Sequence, residues 1–157
     1  MDEKKTTKPS TGTTAQKKEH KASSAANTAN TGNTGKLLAI IMLRGGINAR
    51  TDILTTMDKL MLRQKLACTV FPYNKPNLVA MQKCKDYTTF GEISEETYKL
   101  LVEKRGQKDM NGKLKKYFRL HPPRGGFEKK GIKLPYTLGG ALGNRKDKMN
   151  DLIRKML

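Results

Sequence analysis

Large apolar side chains are missing from residues 2–35 and then occupy almost every position of Leu37–Leu43. An unbroken apolar run of this length fits a central β-strand covered on both faces. Gly45-Gly46 ends it. The period then changes from a run to a stripe. Ile53, Leu54, Met57, Leu60 and Met61 fall at helical spacing, which predicts a helix over Thr51–Arg63. Leu66–Phe71 is rich in Val, Phe and Thr and stops at Pro72, a second strand. Asn74–Cys84 predicts a short helix, with Pro76 in its first turn and Leu78 and Met81 toward the sheet. "DYTTFGEI", 86–93, is a third strand with Tyr87 and Phe90 as large β-formers. Ser94 then reads as an N-cap, with Glu95 and Glu96 set against the positive helix end. Ile93 and Tyr98 occupy the positions of a hydrophobic staple. Lys104-Arg105-Gly106 supplies a charge-matched end and a C′ glycine. The order so far is β-α-β-α-β-α.

From residue 107 the pattern thins into Gly, Pro and Lys with few periodic apolar positions. A last helix follows Asn144, the expected cap, and its Met149, Leu152, Ile153 and Met156 repeat at i, i+3, i+4 and i+7. So clean a stripe must dock on the body of the protein. Three segments result: a flexible basic arm over 1–36, an α/β core over 37–106, and a basic extension with a C-terminal helix over 107–157. The arm lacks the apolar surface needed to offset the entropy of ordering it.

Composition sharpens this picture. No apolar run in the 157 residues approaches the 18 needed for a membrane span. The N-terminus lacks the apolar stretch of a secretory signal. An organelle transit peptide is disfavoured by the absence of Arg before Arg44 and by Asp2, Glu3 and Glu19. Cys68 and Cys84 lie in apolar patterns and read as small buried side chains, consistent with a reduced cytosolic setting. With only His20 and His121 beside them, no paired metal-ligand spacing exists.

Charge is what sets the function class. Lys and Arg number 32 against 14 acids, a formal net of +18. Residues 37–103 carry nine basic and seven acidic side chains, whereas 104–157 carry sixteen basic and four acidic. The core is nearly neutral and the cations sit on the ends. A solvated face would mix both signs. A block of one sign interleaved with Gly, Pro and aromatics fits a polyanion, because cations near phosphates release counterions and aromatics can stack on bases. Tyr117, Phe118 and Phe127 are the aromatics in reach. Lys36, Lys115, Lys116, Lys129, Lys130, Lys133 and Arg145 are the cations expected at such a surface.

Catalytic chemistry finds no set of partners. His121 is the one histidine outside the arm, and the nearest acid in sequence is Glu128. Ser94 is used as a cap. Asp86 and Glu92 read as strand-end residues. "GGALGNRK", 139–146, misses the phosphate-loop pattern, since Arg145 follows Gly143-Asn144 and Asp147 replaces the hydroxyl residue. Two readings of its glycines stay open: a backbone approach to an anion, or a tight turn.

The stretches "LLAIIMLRGGINAR", "KDYTTFGEI", "FRLHPPRGGF" and "LGGALGNRKDKMNDLIRKML" together resemble the family of ribosomal large-subunit protein thirty, over roughly 37–157. The extension, which the bacterial branch lacks, points to the archaeal and eukaryotic branch, with an archaeal member expected. The resemblance implies an α+β fold: a two-layer β-α-β-α-β core with a three-stranded antiparallel sheet, the first strand central and helices on one side, plus the extension. It implies a non-catalytic role binding ribosomal RNA in the cytoplasmic ribosome. It places the protein near the central protuberance, with the large ribosomal RNA, the small 5S-type RNA and neighbouring ribosomal proteins as expected partners. No cofactor, membrane or small-molecule substrate is implied. By the same resemblance the RNA-facing positions are Arg44, Gly45, Arg50, Arg119, His121, Arg124, Gly125, Gly126 and Phe127. Phe127 either lies buried beneath its loop or stacks on a base. A stand-alone RNA-binding or RNA-chaperone protein is the alternative. An α/β enzyme using His121 is the remaining one.

Overall fold

The structure is a computed structural model that describes residues 36–157; except for Lys36, the arm expected over 1–36 lies outside the described residues. The strands are β1 (Leu37–Met42), β2 (Ala67–Pro72), β3 (Thr88–Ile93), β4 (Tyr117–Arg119) and β5 (Gly143–Asn144). The helices are α1 (Thr51–Lys59), α2 (Lys75–Lys83), α3 (Glu95–Arg105) and α4 (Met149–Met156). The fold is α+β. Its sheet runs β4-β2-β1-β3-β5, five strands rather than the three expected. β1 is central as anticipated, antiparallel to β2 and β3. The two additions are short edges from the extension: β4 antiparallel to β2, and β5 parallel to β3.

The alternating pleat of β1 divides the core. Leu38, Ile40 and Met42 pack with Met57, Leu60, Met81 and Phe90 under α1 and α2. Ala39, Ile41 and Leu43 pack with Leu101 of α3, Phe118, Leu120, and Met149, Leu152, Ile153 and Met156 of α4. Helices therefore cover both faces, not one. This is the physical reason β1 is apolar throughout: it has no solvent face. The stripe read on α4 is buried along its whole length. The change in sequence style at 107 is not a change in packing, because 107–157 supplies the cover of one sheet face.

The expected caps are partly realised. Ser94 caps α3, its Oγ accepting from the Thr97 N–H at 3.4 Å. Ile93 and Tyr98 meet in the same cluster as a staple. α1 stops at Lys59, four residues before the expected end. The Met61 N–H donates to Asp58 O and the Leu62 N–H to Met57 O, with Met61 left-handed at φ 59°. That is a Schellman stop with methionine in the place usually held by glycine, and the apolar contact of buried Met57 and Leu62 accompanies it. Asn144 does not cap α4. It lies in β5, its Oδ1 accepts from the Lys146 N–H at 2.9 Å, and a 3₁₀ turn over Lys146–Lys148 leads into the helix. Gly106 is also not left-handed, with φ −64°. It is required by close approach, since a Cβ there would lie 2.2 Å from Val102 O.

Candidate nucleic-acid interface

Pairing registers bring distant cations to one end of the sheet. Arg119 lies opposite Ala67 on β2, and Met42 closes β1 in the neighbouring row. One step further out, Leu120 donates to Leu66 O, Leu66 to Met42 O, and Leu43 to Tyr87 O. Arg44, Gly45, Lys65, Arg119 and His121 therefore follow at the same end. Lys65 reaches Gly45, where a Cβ would come within 3.2 Å of its Cε. Lys65, Lys104, Arg105, Arg119 and His121 together line an open groove of about 500 Å³. Arg44 is steadied by Tyr87, 5.7 Å from the ring centroid, and by Asp86 O at 3.4 Å. Lys65, Lys104 and Arg105 were not anticipated. The charged end of α3 and the basic residues just before β2 were visible, but their convergence depends on strand register.

The Pro-Gly stretch is built as a turn anchored to α4. The Gly126 N–H donates to Pro123 O at 2.9 Å, with Gly125 at φ 84° and Gly126 at φ 80°. A positive φ at the third position belongs to a type II turn and explains glycine there. His121 N donates to Met156 O and Arg124 N to Lys155 O, fixing the turn on the last turn of the helix. Pro123 is buried, whereas Arg124, Gly125 and Gly126 are exposed. Phe127 is half-buried and packs on the core cluster beside α4, the first of its two expected positions. Lys129 and Lys130 follow on a second turn, closed by Gly131 N to Glu128 O at 2.8 Å, and are exposed with Lys133.

Not every expected cation joins these groups. Lys115 and Lys116 lie beyond the other end of β4, on a separate groove beside Lys59. Lys36 is also at that end and pairs with Glu92 at 3.2 Å. Arg50 pairs with Asp52 at 3.2 Å on the surface, which holds it only weakly. Arg145 is a correction. It is 4% exposed and its guanidinium is used internally. It forms a two-pronged pair with Glu128, whose Oε2 accepts from Nη2 at 2.6 Å. Nε donates to Thr89 Oγ1 at 2.9 Å, Nη2 donates to Ala141 O at 3.1 Å, and the group lies 4.8 Å from the Tyr136 ring. Burial would raise the Glu128 pKa, but hydrogen bonds and charge from Arg145 bring it below its ordinary value. The glycine-rich stretch before Arg145 is accordingly a turn: Gly140 packs so tightly that a Cβ would meet Leu134 O at 2.0 Å.

His121 is exposed and has no carboxylate among its groove neighbours. Among the described residues no group of three or more His, Cys, Asp or Glu side chains could hold a metal, and no helix is long and apolar enough to cross a membrane. Cys68 and Cys84 are buried free thiols as expected.

The sheet covered on both faces, with Arg44, Lys65, Arg119 and His121 at one end, defines a small, strongly basic α+β protein. No family model matches the chain. Archaeal relatives do, among them the following three. The large ribosomal subunit protein uL30 of Methanopyrus kandleri is 37% identical, over 73% of this chain and all of its own. Those of Methanococcus vannielii and Staphylothermus marinus are each 36% identical, over 76% and 77% of this chain and 98% of their own. The chain belongs to the uL30 family of ribosomal proteins, in agreement with the resemblance read from its motifs.

Proposed function

We propose that the chain is a structural, non-catalytic constituent of the large ribosomal subunit that holds ribosomal RNA on its extension and on the loop after β1. The observation that carries this reading is the distribution of charge. The sixteen cations of 104–157 face four acids, and one of those, Glu128, is consumed by buried Arg145. Arg119 on β4 and Arg124, Lys129, Lys130 and Lys133 on anchored turns are left exposed, so little backbone freedom is lost when they meet phosphates. Arg44, Gly45 and His121 share their end of the sheet. The large ribosomal RNA is the main partner, with the 5S-type RNA and adjacent ribosomal proteins as neighbours in the cytoplasmic ribosome.

Removing 107–157 would strip eight of the fourteen buried residues from the cluster under α3 and α4, so point substitutions are the cleaner probe. Arg119→Glu with Arg124→Glu leaves the core intact. Binding to large-subunit ribosomal RNA, followed across salt, should weaken, and the magnitude of the log K against log salt slope should fall by about 2. An unchanged slope overturns the assignment of these two residues. A protein that sediments apart from the large subunit overturns the ribosomal reading and favours a free RNA-binding role.

A further inference from the structure

We propose that the outer edge of the sheet holds one unpaired nucleobase, turned out of its RNA strand and laid in a cleft at β4. This rests on the RNA-binding reading above and names the form of RNA it takes. The cleft is about 300 Å³ and is lined by Met61, Arg63, Gln64, Ala67, Tyr117 and Arg119. Its origin is in the fold. Tyr117 and Arg119 alternate with buried Phe118, so both point to the sheet face that carries α1 and α2. α1 ends at Lys59 and does not reach over the β4 edge. Ala67, opposite Arg119, is too small to fill the space left.

Two large apolar side chains remain open there, Met61 at 41% and Tyr117 at 36% exposure. A single exposed apolar residue is ordinary. Two facing one cleft between two arginines make an apolar slot with a cationic rim. Arg119 also lines the groove of Lys65, Lys104 and His121, so slot and groove meet at this residue. That combination matches a nucleotide: a flat π-face for Tyr117 and Met61, and flanking phosphates for Arg119 and the groove. Gln64 brings an amide donor and acceptor to the base edge. A base inside a continuous duplex has both faces covered by stacking, so such a duplex could use only the groove.

The test compares two RNAs, a continuous hairpin stem and the same stem with one bulged 4-thiouridine, each titrated with the full chain. The bulged RNA should bind about tenfold tighter, the scale of one base stacked on an aromatic ring. Tyr117→Ala should erase that preference while keeping duplex binding and the melting temperature. Tyr117→Phe should retain the preference. Irradiation should cross-link the bulge to the peptide holding Tyr117. Equal binding of the two RNAs by the parent protein, or a preference that survives Tyr117→Ala, overturns the base slot but leaves the RNA-binding reading standing. Loss of binding to both RNAs in the parent protein sinks both.

Discussion

Glu128→Gln tests whether the buried arginine is held by charge. Arg145 has 2% of its side chain exposed and Glu128 30%. The pair is therefore lopsided: a stranded carboxylate could rehydrate, but a stranded guanidinium could not. Breaking a fully buried pair costs about 3–5 kcal/mol, most of it from the charge left behind. Thr89 Oγ1, Ala141 O and the Tyr136 ring stay in place, and glutamine keeps one acceptor. The cost should then be nearer 2–3 kcal/mol, or roughly 4–12 °C in Tm for a chain of this size. Thermal melts followed by circular dichroism at pH 7 measure it. Acid gives the second readout. The folded pKa of Glu128 is depressed, so its contribution is present above the unfolded carboxylate value and is lost as pH falls through the folded one. The gap between parent and variant should narrow over that acid range. A variant melting within a degree of the parent at pH 7, or a gap independent of pH, would refute the charge argument.

Gly91→Ala should destabilise by about 1–3 kcal/mol or more, because a Cβ on β3 would sit 2.4 Å from Lys146 O and 2.9 Å from Met149 Cβ; urea titration measures it, and a neutral result would mean that α4 can shift on the sheet. Cys68, its thiol pushed up to about 12 by burial, and Cys84, also raised by burial, should resist a disulfide reagent at pH 8 and react fully once unfolded in guanidinium. Fast labelling of the native protein would show that the core opens.

What was legible in the sequence was whatever a local pattern dictates. β1 announced its two covered faces by having no polar position, and α3 announced its start through Ser94, the two glutamates and the staple. α4 showed its stripe. The misses share a cause. β4 and β5 are three- and two-residue edges, too short to carry a period, and they exist only because β2 and β3 offer free edges. α1 ends where Met61 adopts a conformation that methionine rarely takes. Arg145 looked like its cationic neighbours because burial is not written in a charge count. One clue was available: Glu128 is the sole acid between Asp109 and Asp147, and an isolated acid in a basic block suggests an internal partner. At the cationic end of the sheet, Arg44, Arg119 and His121 had been singled out by the motif resemblance, while Lys65 and Lys104 needed the strand register to join them.

The packing of α4 on the same face as Ala39 and Ile41 also sets a rule for the growing chain. β1 is made early, and its cover on that side is made far downstream. Until 149–156 are available, the central strand keeps an oily face open to solvent, and the turn carrying Arg124 has no helix end to hold it. Such long-range closure is slow and leaves a sticky intermediate. An incomplete copy would thus lack both the cover of one sheet face and the helix end that anchors its cationic turn.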